Sequence, residues 1–235
     1  MRKIQLKQVL RNKRFVLFTI ILPIGWYIFF DQLQKGVSPS ILLGIAVFIG
    51  VIGNSLATFS KRIASDIGFY SFESHFTSYS VKNYLWDQSI VQLILNSLIF
   101  LAVLVVAVLG FHFPVTTSLL VQFFLLSLMG IYFSVIGFVL GVRVDAKTID
   151  TIGFPVIILA AMTIIPFDTL GASGGFMDLV GKLQRVFPGY YYTKLIQDLT
   201  EKQTIDATQL ALFVAVFGLN LLFFYLLVPK GKMGN

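Results

Sequence analysis

Six long apolar runs dominate the chain, and the charged positions gather in the segments between them. The interior of every run lacks Asp, Glu, Lys and Arg, so each run is a candidate membrane span. Backbone polar groups in lipid must be paired within their own segment, which favours helices, and the runs lack the alternation of β-barrel strands. The runs are 15–30, 41–59, 89–111, 118–142, 151–167 and 208–228. They predict an all-α integral membrane protein with six transmembrane helices in a single transmembrane domain, 1–235.

The segment before the first run, 1–14, contains six basic residues and no acid. Leu6, Val9 and Leu10 share one face of a helix there, which predicts an N-terminal amphipathic helix on the inner leaflet. The alternative is that the basic residues act only as a topology signal and form no helix. Asp31 and polar neighbours follow the first run without a small-x-small cleavage site, so we interpret 15–30 as an uncleaved anchor and not a signal peptide.

Composition and charge place the chain in a membrane and give it an orientation. Hydrophobic residues make up 57% and charged residues 12% of the chain, against about 25% charged in a soluble domain. The net charge of +7 is unevenly distributed, and 13 of the 18 Lys and Arg residues lie in 1–14, 60–88, 143–150 and 229–235. The positive-inside rule makes these segments cytoplasmic, with both termini inside. We therefore expect a multi-pass protein of the plasma (inner) membrane that binds no nucleic acid.

The predicted cytoplasmic loop, 60–88, carries more aromatic residues than a solvated loop usually does. Exposed apolar surface of this kind marks an interaction site. We predict that a protein partner docks on 67–76, and anchoring at the membrane interface by Tyr84 and Trp86 is the alternative.

The outer segment, 168–207, is too long for a plain connector. Apolar residues recur at helical spacing on both sides of Pro188-Gly189, which predicts two short amphipathic helices that return into the outer leaflet or lie on it. The fifth run contains Pro155, so we expect it to end in this hairpin and not to stand as a straight helix.

Catalytic motifs are missing or incomplete. The closest approach to a phosphate-binding loop begins at Gly175, but its glycines are too far apart and a leucine replaces the hydroxyl that would hold magnesium. The Gly171-Ala-Ser-Gly174 stretch resembles an intramembrane serine protease motif but has no later histidine to act as base. With no cysteine and no clustered His or carboxylates, no metal site is predicted. Proton-coupled carriers and ion channels also lack support, because the runs contain neither charged relays nor a filter motif. The chain is therefore not predicted to be an enzyme.

The polar residues inside or near the runs are neutral. Asn54, Asn96 and Asn220 either line a conduit or hydrogen-bond neighbouring helices. Gly137-x-x-x-Gly141 in the fourth run permits close helix packing.

The layout resembles the type-2 family of ABC transporter permeases, the exporter-like subunits, over the whole chain. The shared features are the basic head, six spans with both ends inside, the aromatic first cytoplasmic loop and the paired-helix outer hairpin. In that family the loop after the second span opens with a Glu-Arg-Glu-x-Gly pattern, of which Asp66 and Gly68 retain the acid and the glycine. Pro188, Tyr190 and Tyr191 resemble the family's proline-aromatic corner.

The resemblance implies half of a translocation pathway, driven by a separate ABC ATPase subunit and completed by a second six-helix subunit in a homo- or heterodimer. The chain itself would hold no cofactor, and ATP and Mg would bind the partner ATPase. The residues implied to couple to the ATPase are Asp66, Gly68, Phe69, Tyr70, Phe72 and Phe76. A peptide, a drug or a lipid-like amphipath is the implied cargo. The alternative is a non-transporting accessory or immunity membrane subunit. In that case the aromatic residues of 60–88 would contact only lipid and would bind no ATPase.

Overall fold

All regular secondary structure in the described residues is helical. The computed structural model describes residues 11, 13–33, 36–73, 81–165, 167, 174–201 and 204–227, and strands are absent from these residues. Most of the predicted head helix, residues 1–10 and 12, lies outside them. The all-α class is therefore confirmed for the part of the chain that is described.

Four of the six predicted runs, 15–30, 41–59, 89–111 and 118–142, lie within helices, and helix extends on both sides into the predicted loop 60–88. The helix bounds are α1 (Lys13–Val16, then a π-helical turn Leu17–Ile21, then Leu22–Leu33), α2 (Pro39–Gly53, then a π-helical segment Asn54–Phe59), α3 (Ser60–Glu73), α4 (Val81–Phe111), α5 (Ser118–Arg143), α6 (Ala146–Met162), α7 (Gly175–Gln184), α8 (Pro188–Glu201) and α9 (Ala207–Leu226). Within the described chain, four helices are long and apolar enough to cross a membrane: Pro39–Asp66, Asp87–Phe111, Ser118–Arg143 and Ala207–Leu226.

Local side-chain chemistry fixes several helix ends. The Asp145 carboxylate accepts hydrogen bonds of 3.0 Å from the backbone N–H groups of Lys147 and Thr148 and caps the start of α6. The Thr148 hydroxyl also donates to it, which lowers the pKa of Asp145, so this cap is present at neutral pH and is lost as the pH falls through that pKa. Asp206 caps α9 in the same way. His112 ends α4 in the left-handed backbone region, with φ at 52°.

The second helix, α2, forms the centre of the bundle. Every residue from Ile41 to Leu56 is buried, and α1, α4, α5, α6 and α8 all pack against it. Small residues permit this close packing of helices, since a Cβ at Gly50 would collide with Pro23 of α1 and Ile99 of α4. By contrast, α9 packs mainly on α5 and α8, and most of its apolar side chains are exposed, as lipid contact would require.

The fifth predicted span differs from the helix found there. The prediction was 151–167, whereas α6 runs from Ala146 to Met162. The earlier start follows from the Asp145 cap. Seventeen residues rise about 25 Å, so α6 is much shorter than the 28-residue helix Pro39–Asp66 beside it.

The predicted pair of short helices in 168–207 is confirmed as α7 and α8. Gly174 precedes α7 with φ at 127°, a conformation that glycine adopts without steric cost. Pro188 begins α8, where its missing N–H costs no helical hydrogen bond.

Candidate functional site

The described part of the predicted coupling loop is helical and continues α2. No break separates Pro39–Gly53, the π-helical segment Asn54–Phe59 and α3 (Ser60–Glu73). The apolar stretch Pro39–Asp66 has 28 residues, and about 20 suffice to cross a bilayer. The stretch is therefore longer than a bilayer crossing requires, and its end that carries Lys61 is called the Lys61 end below.

The predicted coupling residues lie toward the free end of α3. Asp66 is half-buried and Gly68 is exposed. Phe69, Tyr70 and Phe72 belong to the same helix, and Phe76 lies outside the described residues. Five of the six predicted residues thus share one helix.

The base of α3 is held firmly to α5 and α6. Gly141 of α5 approaches so closely that a Cβ there would come within 2.5 Å of the Ser60 carbonyl oxygen, and Ile63 is fully buried at this contact. Lys61 of α3 forms an ion pair with Asp150 of α6. The predicted close packing at Gly137 and Gly141 is confirmed, because a Cβ at Gly137 would collide with the Ser55 carbonyl oxygen.

Two of the three predicted intramembrane asparagines meet in a buried amide cluster between α2 and α4. The Asn54 amide nitrogen donates to the Asn96 Oδ1 at 3.4 Å. The Gln92 amide nitrogen lies 3.4 Å from the same oxygen and 3.2 Å from the Ser55 hydroxyl. The cluster begins where the π-helical segment begins, and such segments are common at functional sites.

Polar atoms of this cluster exceed the partners that the described residues supply. Asn54 Oδ1, Gln92 Oε1 and Asn96 Nδ2 have no hydrogen-bond partner among those residues, and neither amide atom of Gln88 has one. Gln88 is 1% exposed and lies one turn before Gln92 on α4. Burying such groups costs free energy, so the hydrogen bonding of this interface is incomplete within the described residues.

The third asparagine, Asn220 of α9, lies elsewhere. Its Oδ1 accepts from the Tyr132 hydroxyl of α5 at 3.3 Å, and its amide nitrogen donates to the Val186 carbonyl at 2.9 Å. It also donates to Val216 within its own helix. Asn220 therefore fastens α9 to α5 and to the α7–α8 turn.

The predicted outer corner is partly buried. Pro188 and Gly189 are buried, and a Cβ at Gly189 would lie 2.6 Å from Ile164 just after α6. Tyr190 and Tyr191 are half-buried with their rings edge to face at 5.3 Å. The Arg185 guanidinium lies 5.8 Å from the centre of the Tyr190 ring. The corner thus packs against the end of α6.

Sequence reasoning missed the groups that cap this end of α6. The Gln184 amide nitrogen donates to the Met162 and Ile165 carbonyls, each at 2.7 Å. The Thr193 hydroxyl lies 3.2 Å from the Ile164 carbonyl oxygen. The last carbonyls of a helix need external donors, and the need is strongest in lipid. The available signal for this capping was that Gln184 and Thr193 are polar residues on otherwise apolar helix faces.

A second missed contact joins α8 to the first half of α2. The Tyr192 ring packs edge to face on Phe48 at 4.6 Å between centres, and a Cβ at Gly44 would lie 2.7 Å from its hydroxyl oxygen. The Gln122 amide nitrogen of α5 donates to the Ser40 carbonyl at 2.7 Å. Hence α8 lies beside the part of α2 that extends past the end of α6.

Comparison of the chain with protein-family models, with curated proteins and with solved structures gave no match.

Proposed function

We propose that this chain is the permease subunit of an ATP-driven ABC exporter. It forms half of the translocation pathway, crosses the membrane six times with both termini in the cytoplasm, and pairs with a second six-helix subunit. A separate ATPase binds at the Lys61 end. The cargo is an amphipathic molecule, which the Phe-rich spans accommodate.

The observation that carries the proposal is the continuity of α2 with α3. A partner that pushes on α3 acts on a helix whose other part is the most buried element of the bundle. Coupling between distant sites needs such a physically connected element. The π-helical segment of this helix supplies Asn54 and Ser55 to the unmatched amide cluster with α4, where a rearrangement loses few well-made hydrogen bonds.

The course of the chain after α5 supports six crossings. Asp150 near the start of α6 pairs with Lys61, so α6 begins at the Lys61 end. The helix ends beside the hairpin, and α8 then continues along α2 through the contacts of Tyr192 with Phe48 and Gly44. Together α6 and α8 cover the length that one long helix would cover, which puts the start of α9 at the Pro39 end.

Extraction of the tagged chain from its own cells in a mild detergent, followed by mass spectrometry, tests the proposal. We expect a stoichiometric partner that carries a Gly-x4-Gly-Lys-Ser/Thr loop, and we expect Asp66→Lys to release it. The matched control is Asp178→Lys on exposed α7, which should leave the partner bound. A complex without any ATPase would instead support a non-transporting accessory or immunity subunit.

A further inference from the structure

A cavity of about 420 Å³ lies between α5, α6, α7 and α9. Leu56 and Phe133 form part of its wall, Val156 and Ala160 line it from α6, Val180 lines it from α7, and Phe224 lines it from α9. Its volume lies within the range of about 300–1,000 Å³ that is typical of ligand sites. We name it the lateral cavity.

We propose that the lateral cavity binds the acyl chain of an anionic membrane lipid. The proposal requires that these helices lie in lipid, and it does not depend on ATPase coupling. It therefore stands or falls separately from the proposed function.

The chemistry of the wall selects an apolar occupant. The few polar side chains that line the cavity are already bonded within the protein. Tyr132 donates to Asn220, Thr163 donates to the Ala160 carbonyl, and the Gln184 amide caps α6. None of the residues that line the cavity in the described chain is charged. A polar ligand would lose its hydration there without new hydrogen bonds, which disfavours it.

The cavity opens toward the surroundings of the bundle. Leu159 and Leu183 belong to its lining, yet they are 64% and 58% exposed. On the same helices, Phe154 and Leu179 are exposed as well. Lipid chains surrounding such apolar faces have direct access to the opening, and filling it gains dispersion contacts that an empty space forfeits.

Basic side chains on α7, one of the helices that line the cavity, favour an anionic headgroup. Lys182 is exposed next to Leu183, and Arg185 is exposed in the following turn. Asp178, which is also exposed, lies one turn earlier and leaves this part of α7 with a net charge of +1. Basic side chains near a membrane surface attract anionic lipids.

Photolabelling in vesicles tests the proposal. The chain is reconstituted in phosphatidylcholine that contains increasing fractions of a phosphatidylglycerol with a diazirine in one acyl chain. We expect labelling of the peptides around 156–163 and 180–187 to saturate at a low probe fraction. Labelling of exposed α9 residues such as Leu219 should rise linearly, because these residues contact bulk lipid.

A matched pair of variants on α6 locates the site. Ala160→Trp fills the cavity and should weaken saturable labelling by about tenfold or more, the effect of excluding two methylene groups. Phe154→Trp adds the same side chain at an exposed position outside the cavity and should leave the labelling unchanged. The peptide map of the unaltered chain is decisive even if Ala160→Trp fails to fold.

Labelling that rises linearly at every position would overturn the proposal, because the lining would then meet bulk lipid only. Saturation that survives Ala160→Trp in a monodisperse preparation would also overturn it. Equal saturation with a diazirine phosphatidylcholine would overturn the assignment to an anionic lipid. No ATPase is present in any of these samples.

Discussion

Single glycines decide how closely α5 approaches α2 and α3. Gly137 and Gly141 lie one helical turn apart and face the backbone carbonyls of Ser55 and Ser60, and Gly141 also faces the side chain of Ile63. The Gly-x-x-x-Gly spacing predicted close packing, because four residues return to the same helix face. The sequence could not tell which helix it would meet, since that choice depends on the tertiary arrangement.

Gly137→Ala should destabilise the bundle. The new Cβ would meet the Ser55 carbonyl oxygen, and overpacking of this kind costs about 1–3 kcal/mol. Gly218→Ala in α9 is the control, because nothing lies within 4 Å of a Cβ there. Thermal unfolding in detergent should show a lower Tm for Gly137→Ala alone, and equal Tm values would contradict the packing described here.

The amide cluster allows its two interpretations to be separated. Asn54→Leu alone leaves Asn96 with one partner fewer in a buried site, which costs about 1–3 kcal/mol. The double variant with Asn54→Leu and Asn96→Leu removes both groups, so its stability should recover toward that of the unaltered chain. If the double variant is stable but loses the proposed transport, the cluster serves the proposed pathway. If the proposed transport is unchanged, the cluster serves helix packing.

At the scale of elements, hydrophobic periodicity predicted most helices but not how they end. The runs 118–142 and 208–228 match α5 and α9 closely, because a long apolar run has few alternatives in lipid. The end of α6 could not be predicted so well. It is fixed by Gln184 and Thr193, which come from helices more than 20 residues later, and such distant capping leaves no signal in the sequence of α6 itself.

The ion pair between α3 and α6 should make a small, measurable contribution. Lys61→Glu places two acids together and should lower the Tm, while adding Asp150→Lys should restore part of the loss. Because both side chains are about one-third exposed or more, the coupling free energy from a double-mutant cycle should be about 0.2–1 kcal/mol. A coupling of zero would mean that glycine packing alone holds α3.

The whole molecule is built around one continuous helix, α2 with α3, whose apolar stretch Pro39–Asp66 is mostly buried. Four helices satisfy the length and hydropathy of a membrane span in the described chain, whereas α1 and the combination of α6 with α8 bring the proposed number to six. A chain with four spans and a chain with six spans place the loop before α9 on opposite sides of the membrane.

Single cysteines can distinguish these topologies, since the chain has none of its own. Val115→Cys, Thr204→Cys and Lys147→Cys all lie at exposed positions. With six spans, an impermeant maleimide added to intact cells should label the first two variants and reach the third only after permeabilisation. If Thr204→Cys is labelled under the same conditions as Lys147→Cys, the two positions lie on the same side of the membrane, which would indicate four spans.

The most direct test of the central claim is the ATPase rate of the purified complex in lipid nanodiscs, with α3 intact and with α3 broken. Proline at exposed Ser65 removes a backbone hydrogen bond and costs a helix about 3 kcal/mol, whereas Ser65→Ala keeps the helix. We predict that the permease changes the hydrolysis rate of its ATPase, that Ser65→Ala preserves this change and that Ser65→Pro abolishes it. An ATPase rate that is the same for Ser65→Pro as for the unaltered complex would contradict coupling through α3.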